Sequence, residues 1–198
     1  MRTIGFLALG LLGLLAGARL WALLTGQRRG GVYFLSGARQ VRLLFWPLTA
    51  LVASLPFVLG VAARAGGLPP LALAGGAVLA AALLSLSLPA LVLHARYQQH
   101  DGGTVVLFDA RAATLEIRRP KHAFIRFAPA QVRAAVYTRP QQGRALWAAY
   151  ETLRLDFAAP HPASVTLSSA VLDLPPVVAW LRAGGVEIKE TRRWLTWI

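Results

Sequence analysis

Apolar residues fill the chain in blocks of membrane length as far as Leu93, and beyond about Arg96 they fall into short alternations with polar ones. A bilayer core of roughly 30 Å takes about 20 residues of helix to cross, because each residue adds about 1.5 Å of rise and no backbone polar group can be left unbonded in hydrocarbon. Two segments meet that requirement without a charge: Leu43 to Ala63, between Arg42 and Arg64, and Leu68 to Leu93, between the Gly66-Gly67 turn and His94. Pro47, Pro56 and Pro89 fall inside them and predict kinks of a kind that lipid-embedded helices tolerate. An earlier segment, Thr3 to Leu24, is broken by Arg19 and reads either as a membrane helix or as a signal peptide ending at Ala16-Gly17-Ala18. The pattern predicts helices at about 3–24, 43–63 and 68–93.

In the second half, Val105, Leu107, Leu115 and Ile117 predict one face of a β-hairpin and Thr104, Glu116 and Arg118 the other, with 108–112 as the turn. His122 to Phe127 alternates through Phe124, Ile125 and Phe127, and Val132 to Thr138 sets Val132, Ala134 and Val136 against Arg133, Ala135 and Tyr137. Prolines at 120, 129 and 140 bound these strands. Ala145 to Phe157 ends with Leu153, Leu155 and Phe157 against Thr152, Arg154 and Asp156, and after a loop Ser164 to Ser168 alternates through Val165 and Leu167. Asp173 reads as a helix N-cap, with Pro175 and Pro176 in the first turn, an apolar face of Val177, Trp180 and Leu181, and a stop at Gly184-Gly185. The fold predicted is a membrane protein: three transmembrane α-helices in residues 1–94, then a mostly-β, α+β domain of six strands and a C-terminal helix in residues 95–198.

Composition agrees with this division. The chain is 56% hydrophobic and 15% charged, where a soluble domain carries roughly 25% charged residues, and its mean hydropathy is +0.53. The net charge of +13 is unevenly spread, since all eight acidic residues lie between Asp101 and Glu190. Arginines decide the topology. With the first helix retained and its N-terminus outside, Arg28, Arg29, Arg39 and Arg42 lie in the cytoplasm together with the C-terminal domain, and Arg2 and Arg64 remain on the far side. A cleaved signal would carry those four arginines and the domain across, against the charge bias, so the retained helix is favoured. Arginine makes up 19 of the 21 cationic residues, and alanine and leucine are abundant, which reads as the codon bias of a GC-rich bacterial genome; the location expected is the inner membrane.

Candidate chemistry is sparse. Without cysteine there is no disulfide, thiolate–zinc or iron–sulfur chemistry. His94, His100, His122 and His161 lack metal-ligand spacing, no Gly-rich phosphate loop occurs, and Ser164, Ser168 and Ser169 lack a nucleophile elbow. The expectation is no catalytic, metal or cofactor site, with Arg154, Asp156 and His161 as catalytic candidates only by default. RNP-type aromatics and a recognition helix are missing, so no nucleic-acid partner is expected. Arginine beside tryptophan is the pattern with content: Arg192-Arg193 precede Trp194 and Trp197, a combination suited to headgroups, or else a solvated pair beside a tail packed on the domain. Arg19, Arg28 and Arg29 complete the candidate membrane-interface set, with Arg19 close enough to the helix end to snorkel. Small residues at Gly75-Gly76-Ala77 and Ala80-Ala81-Ala82 permit close helix packing within the chain, against a membrane-protein partner, or in a homo-oligomer.

The hairpin from Thr104 to Arg118, the strands through Leu155 and Val165, and the helix from Asp173 to Gly184 together resemble the bacterial PH-like domains of small multi-pass membrane proteins, of the DUF304 and YcxB-like type. The resemblance covers residues 95–185. It implies a PH-like barrel closed by a C-terminal helix, and a non-enzymatic scaffold binding lipid headgroups or a protein partner. An accessory subunit of a larger membrane complex is the alternative, and a membrane enzyme a more distant one.

Overall fold

In the computed structural model of the chain, residues 2–25, 31–64, 67, 69–109, 113–120, 124–143, 145–158 and 164–198 are described. Three long helices come first: α1 (Arg2–Thr25), α2 (Gly37–Arg64) and α3 (Pro70–Asp101). Pro70 opens α3, where the missing N–H costs no helix bond. Two stretches, Gly37–Ala63 and Pro70–Asp101, are long and apolar enough to cross a membrane, and Leu9–Ala22 forms a shorter apolar helix. Thr49, Ser54 and Ser87 donate their hydroxyls to the carbonyls of Phe45, Leu51 and Leu84, so these side chains carry no unbonded donor into the apolar region. A Cβ on Gly76 would stand 3.1 Å from Val61, which shows how closely α3 approaches α2. The small-residue stretch thus packs, at Gly76, within the chain.

Both helices outrun the hydropathy. α2 starts at Gly37 rather than Leu43, and α3 ends at Asp101 rather than Leu93. Their polar ends are helical because they are packed on the β-domain.

Among the described residues that domain has eight strands where six were expected: β1 (Val32–Phe34), β2 (Val105–Asp109), β3 (Thr114–Arg118), β4 (Ile125–Phe127), β5 (Val132–Pro140), β6 (Thr152–Phe157), β7 (Ser164–Ser168) and β8 (Ile188–Arg193). They form two four-stranded sheets, ordered β1-β2-β3-β4 and β7-β6-β5-β8. The unexpected β1 lies between α1 and α2 and pairs antiparallel with β2, so the α2–α3 hairpin is inserted between two neighbouring strands. The unexpected β8 runs parallel to β5. It gets there because α4 (Leu174–Ala183) carries the chain from β7 at one edge to the other.

Two strand phases differ from the pattern. In β2, Val106 and Phe108 share the inner face with Ile117 and Leu115, while Val105 and Leu107 face outward, and Phe108 belongs to the strand rather than the turn. Four consecutive apolar residues contain no alternation, so only pairing sets their phase. In β5 a bulge between Val132 and Ala134 moves Ala135 and Tyr137 inward with Val132, in place of Ala134 and Val136. Leu153, Leu155, Phe157, Val165 and Leu167 are buried on the expected faces.

The core lies between the sheets and α4. Val177, Val178 and Leu181 of α4 share one buried cluster with Phe127 and Leu155, and Phe127 stacks edge-on against Phe157 at 4.8 Å. Gly184 ends α4 against Pro129, whose ring atoms a Cβ would overlap at 2.2 Å. Asp173 holds the N-cap position without a capping hydrogen bond.

Candidate membrane interface

A second cluster joins helices to domain. Leu43 of α2 and Ala90, Leu93 and Tyr97 of α3 pack with Trp147, Tyr150 and Ala170. Leu93, His94, Tyr97 and Asp101 recur at helical spacing, so α3 offers the domain one continuous buried face after its apolar length ends. Tyr97 donates its hydroxyl to the Thr196 carbonyl at 2.9 Å, and Thr196 donates in turn to the Tyr150 carbonyl at 2.5 Å. The Tyr97 and Tyr150 rings meet edge-on at 5.2 Å. Burial pushes the Tyr150 phenol above its ordinary pKa, so it stays protonated, and its oxygen lies 3.1 Å from His94 Nδ1. With Tyr150 as donor, the imidazole proton resides on Nε2, a buried atom with no protein partner among the described residues.

Charged groups tie the same joint. Asp101, almost wholly buried, accepts hydrogen bonds from Ser168 and, at 2.9 Å, from His100 Nδ1. Arg39, in the first turn of α2, donates through Nε and Nη2 to the Ser169 carbonyl at 2.9 and 2.6 Å and pairs with Asp173 Oδ1 at 2.9 Å. Arg42 lies 3.6 Å from the same carboxylate. The start of α2 and the end of α3 therefore lie at one end of the helical hairpin, held on the domain.

Tryptophans mark that end. Of the six in the chain, Trp147 and Trp180 belong to the cores, whereas Trp21, Trp46, Trp194 and Trp197 are exposed. Trp46 is less than a turn from Leu43 of the junction, and the Arg19 guanidinium lies 4.4 Å from the Phe45 ring and 5.1 Å from that of Trp46. Arg19 thus rests on an aromatic pair of α2. Trp194 meets Trp147 edge-on at 5.5 Å and accepts a hydrogen bond from its indole N–H at 2.9 Å. Trp197 lies 4.7 Å from the guanidinium of Arg96 in α3.

The C-terminal tail divides its residues between two surroundings: Leu195, Thr196 and Ile198 pack inward, Trp194 and Trp197 outward. Arg192 and Arg193 are exposed at the end of β8. Arg28 and Arg29 lie outside the described residues. Arg96, Trp21, Trp46 and Tyr97 were absent from the candidates, although the helical spacing of His94, Tyr97 and Asp101 after an apolar run could have flagged a docked helix end. Among the default catalytic candidates, Arg154 and Asp156 form an exposed pair at 3.1 Å, and His161 lies outside the described residues. Ser168 and Ser169 are structural donors, to Asp101 and to the Ala149 carbonyl. No group of metal-ligating side chains occurs among the described residues.

A family model described as PH domain matches residues 32–174, from the first residue of β1 to the first of α4. The chain belongs to the PH domain family. No curated protein and no solved structure matches it. The match spans β1, α2, α3 and strands β2 to β7, so this PH domain carries its helical hairpin as an insertion between β1 and β2. PH domains are binding modules for lipids or proteins and are typically not enzymes.

Proposed function

We propose that the protein is a membrane-anchored, non-enzymatic scaffold whose PH domain is held at the cytoplasmic surface of a bacterial inner membrane and binds lipid headgroups or a protein partner there. In this reading α1, α2 and α3 all span, the N-terminus lies outside, and the chain is akin to the DUF304 and YcxB-like proteins. The carrying observation is the placement of the four exposed tryptophans with Arg19 and Arg96 around the domain-facing end of the helices. Indole rings favour the headgroup level, and each basic side chain near anionic lipid contributes about 1 kcal/mol. From Leu43 to Ala63, α2 rises about 30 Å away from that ring, the thickness of the hydrocarbon core. Arg192 and Arg193 add charge on the same side.

Rigid support favours a scaffold over a tethered module. Because α3 enters the domain as one helix, the binding surface is held at a constant height and angle to the bilayer. An accessory-subunit role through residues 75–82 has less support, since Gly76 already faces Val61.

Reporter fusions to the full chain test the placement, one enzyme active only in the cytoplasm and one only outside. Activity of the cytoplasmic reporter alone is expected. Activity of the external one would overturn the topology and move the binding surface to the cell envelope.

A further inference from the structure

The four sheet edges are not equally available. Strand β7 is occupied at two outward carbonyls: Arg119 donates to that of Thr166 at 2.5 Å, and the N–H groups of Val171 and Leu172 donate to that of Ser168. Strands β1 and β4 are three residues long. Strand β8 offers a six-residue edge. Ala135 N–H donates to the Glu187 carbonyl and Gln141 N–H to that of Arg193, so residues 187, 189, 191 and 193 direct their backbone toward β5. In a parallel ladder the alternate residues then face away, which leaves the N–H and C=O groups of Ile188, Glu190 and Arg192 pointing out from the sheet.

Charge selects what can pair there. Lys189, Arg192 and Arg193 are exposed and form no ion pair among the described residues, while Glu190 is neutralised by Arg182. Basic side chains on an edge repel a second copy of the same edge, and cross-strand neighbours of opposite charge attract. We infer that β8 is a docking edge for an extended, acidic segment of a partner protein, which adds to the sheet as a further strand beside β8. Backbone hydrogen bonds to Ile188, Glu190 and Arg192 hold it, and its acidic side chains meet Lys189, Arg192 and Arg193. Strand β8 runs directly into Trp194, so the captured segment lies beside the junction with the helices. This deepens the proposed binding role by naming the partner chemistry.

The test uses the full chain in nanodiscs of zwitterionic phosphatidylcholine and a ten-residue peptide alternating glutamate with valine, with a lysine–valine peptide as control. Amide hydrogen exchange at residues 188, 190 and 192 is expected to slow at least tenfold with the glutamate peptide alone, and to recover as salt is raised. Charge reversal by Lys189→Glu with Arg193→Glu weakens binding at least tenfold. Arg192→Pro removes an outward N–H without breaking a bond to β5, and abolishes the protection. Equal protection by both peptides, no protection, or protection only when phosphatidylglycerol replaces the neutral lipid overturns strand docking. Loss of the protein from the nanodiscs would instead overturn the membrane anchoring, so the two failures are distinguishable.

Discussion

Tyr97 is the side chain on which the helix–domain junction most depends, and its removal should open that junction without unfolding the PH domain. The ring is fully buried between α3, Tyr150 and the C-terminal tail. Truncating a buried aromatic residue to alanine costs about 3–5 kcal/mol. The hydroxyl is bonded to the Thr196 carbonyl, and Tyr97→Phe leaves that buried acceptor short of a donor, at about 1–2 kcal/mol. Because the junction cluster is distinct from the core between the sheets, the loss is local. At about 1.4 kcal/mol per tenfold, Tyr97→Phe should speed amide exchange in residues 194–198 roughly tenfold, and Tyr97→Ala a hundredfold or more. Hydrogen exchange by mass spectrometry on the full chain in nanodiscs reads both. A tail within twofold of the parent in Tyr97→Ala, or strands β5 to β7 accelerated as much as the tail, would refute a junction that depends on Tyr97.

Arg39→Ala removes a fork that serves both the Ser169 carbonyl and Asp173, so thermal unfolding in detergent should show a loss of about 2 kcal/mol, with Arg39→Lys unable to restore the geometry. Gly103 has φ +78° and would place a Cβ 2.6 Å from Pro120 Cγ; Gly103→Ala should cost about 2 kcal/mol or more, and Pro120→Ala should relieve the collision but not the left-handed strain of about 1–2 kcal/mol. Variants retaining only Trp194 and Trp197 should be quenched by lipids brominated near the headgroup more than by lipids brominated at the chain ends, and the opposite order would contradict their interfacial level. Burial, joined for Tyr137 by its hydrogen bond to Glu151, holds the Tyr137 and Tyr150 phenols above the ordinary 10.0. A raised folded-state pKa contributes stability that is complete below pH 10.0 and lost as pH rises toward the folded value, so alkaline denaturation should begin above that point and be shallower in Tyr137→Phe.

Legibility followed the range of the interaction. The apolar lengths of α2 and α3, the buried alternations of β6 and β7, and the limits of α4 at Asp173 and Gly184 each depend on residues within a few positions of one another, and all were readable in the chain. The phase of Val105 to Phe108 was not, because an unbroken apolar run is compatible with either face until Ile117 and Leu115 select one. The bulge that turns Tyr137 inward likewise exists only through the pairing of β5 with β6.

The candidate interface divides in the same way. Local composition singled out Arg19 and the arginines and tryptophans at 192–197 as candidates for headgroup contact, the latter equally for a tail packed on the domain beside solvated arginines. Arg19 on the Phe45–Trp46 pair joins α1 to α2, and the docking of α3 through Tyr97 and Asp101 brings Trp197, far away in sequence, against Arg96 of that helix. Strand β1 is the clearest case: Val-Tyr-Phe is too short to show a period, and its partner β2 lies beyond two long helices. Hydropathy, turns and caps are properties of neighbouring residues, so the sequence alone determined that apolar helices precede a PH-like β-domain. Strand phase, the closing strands β1 and β8, and the seating of the domain on its helices arise from contacts between distant segments, and only the tertiary structure decided them.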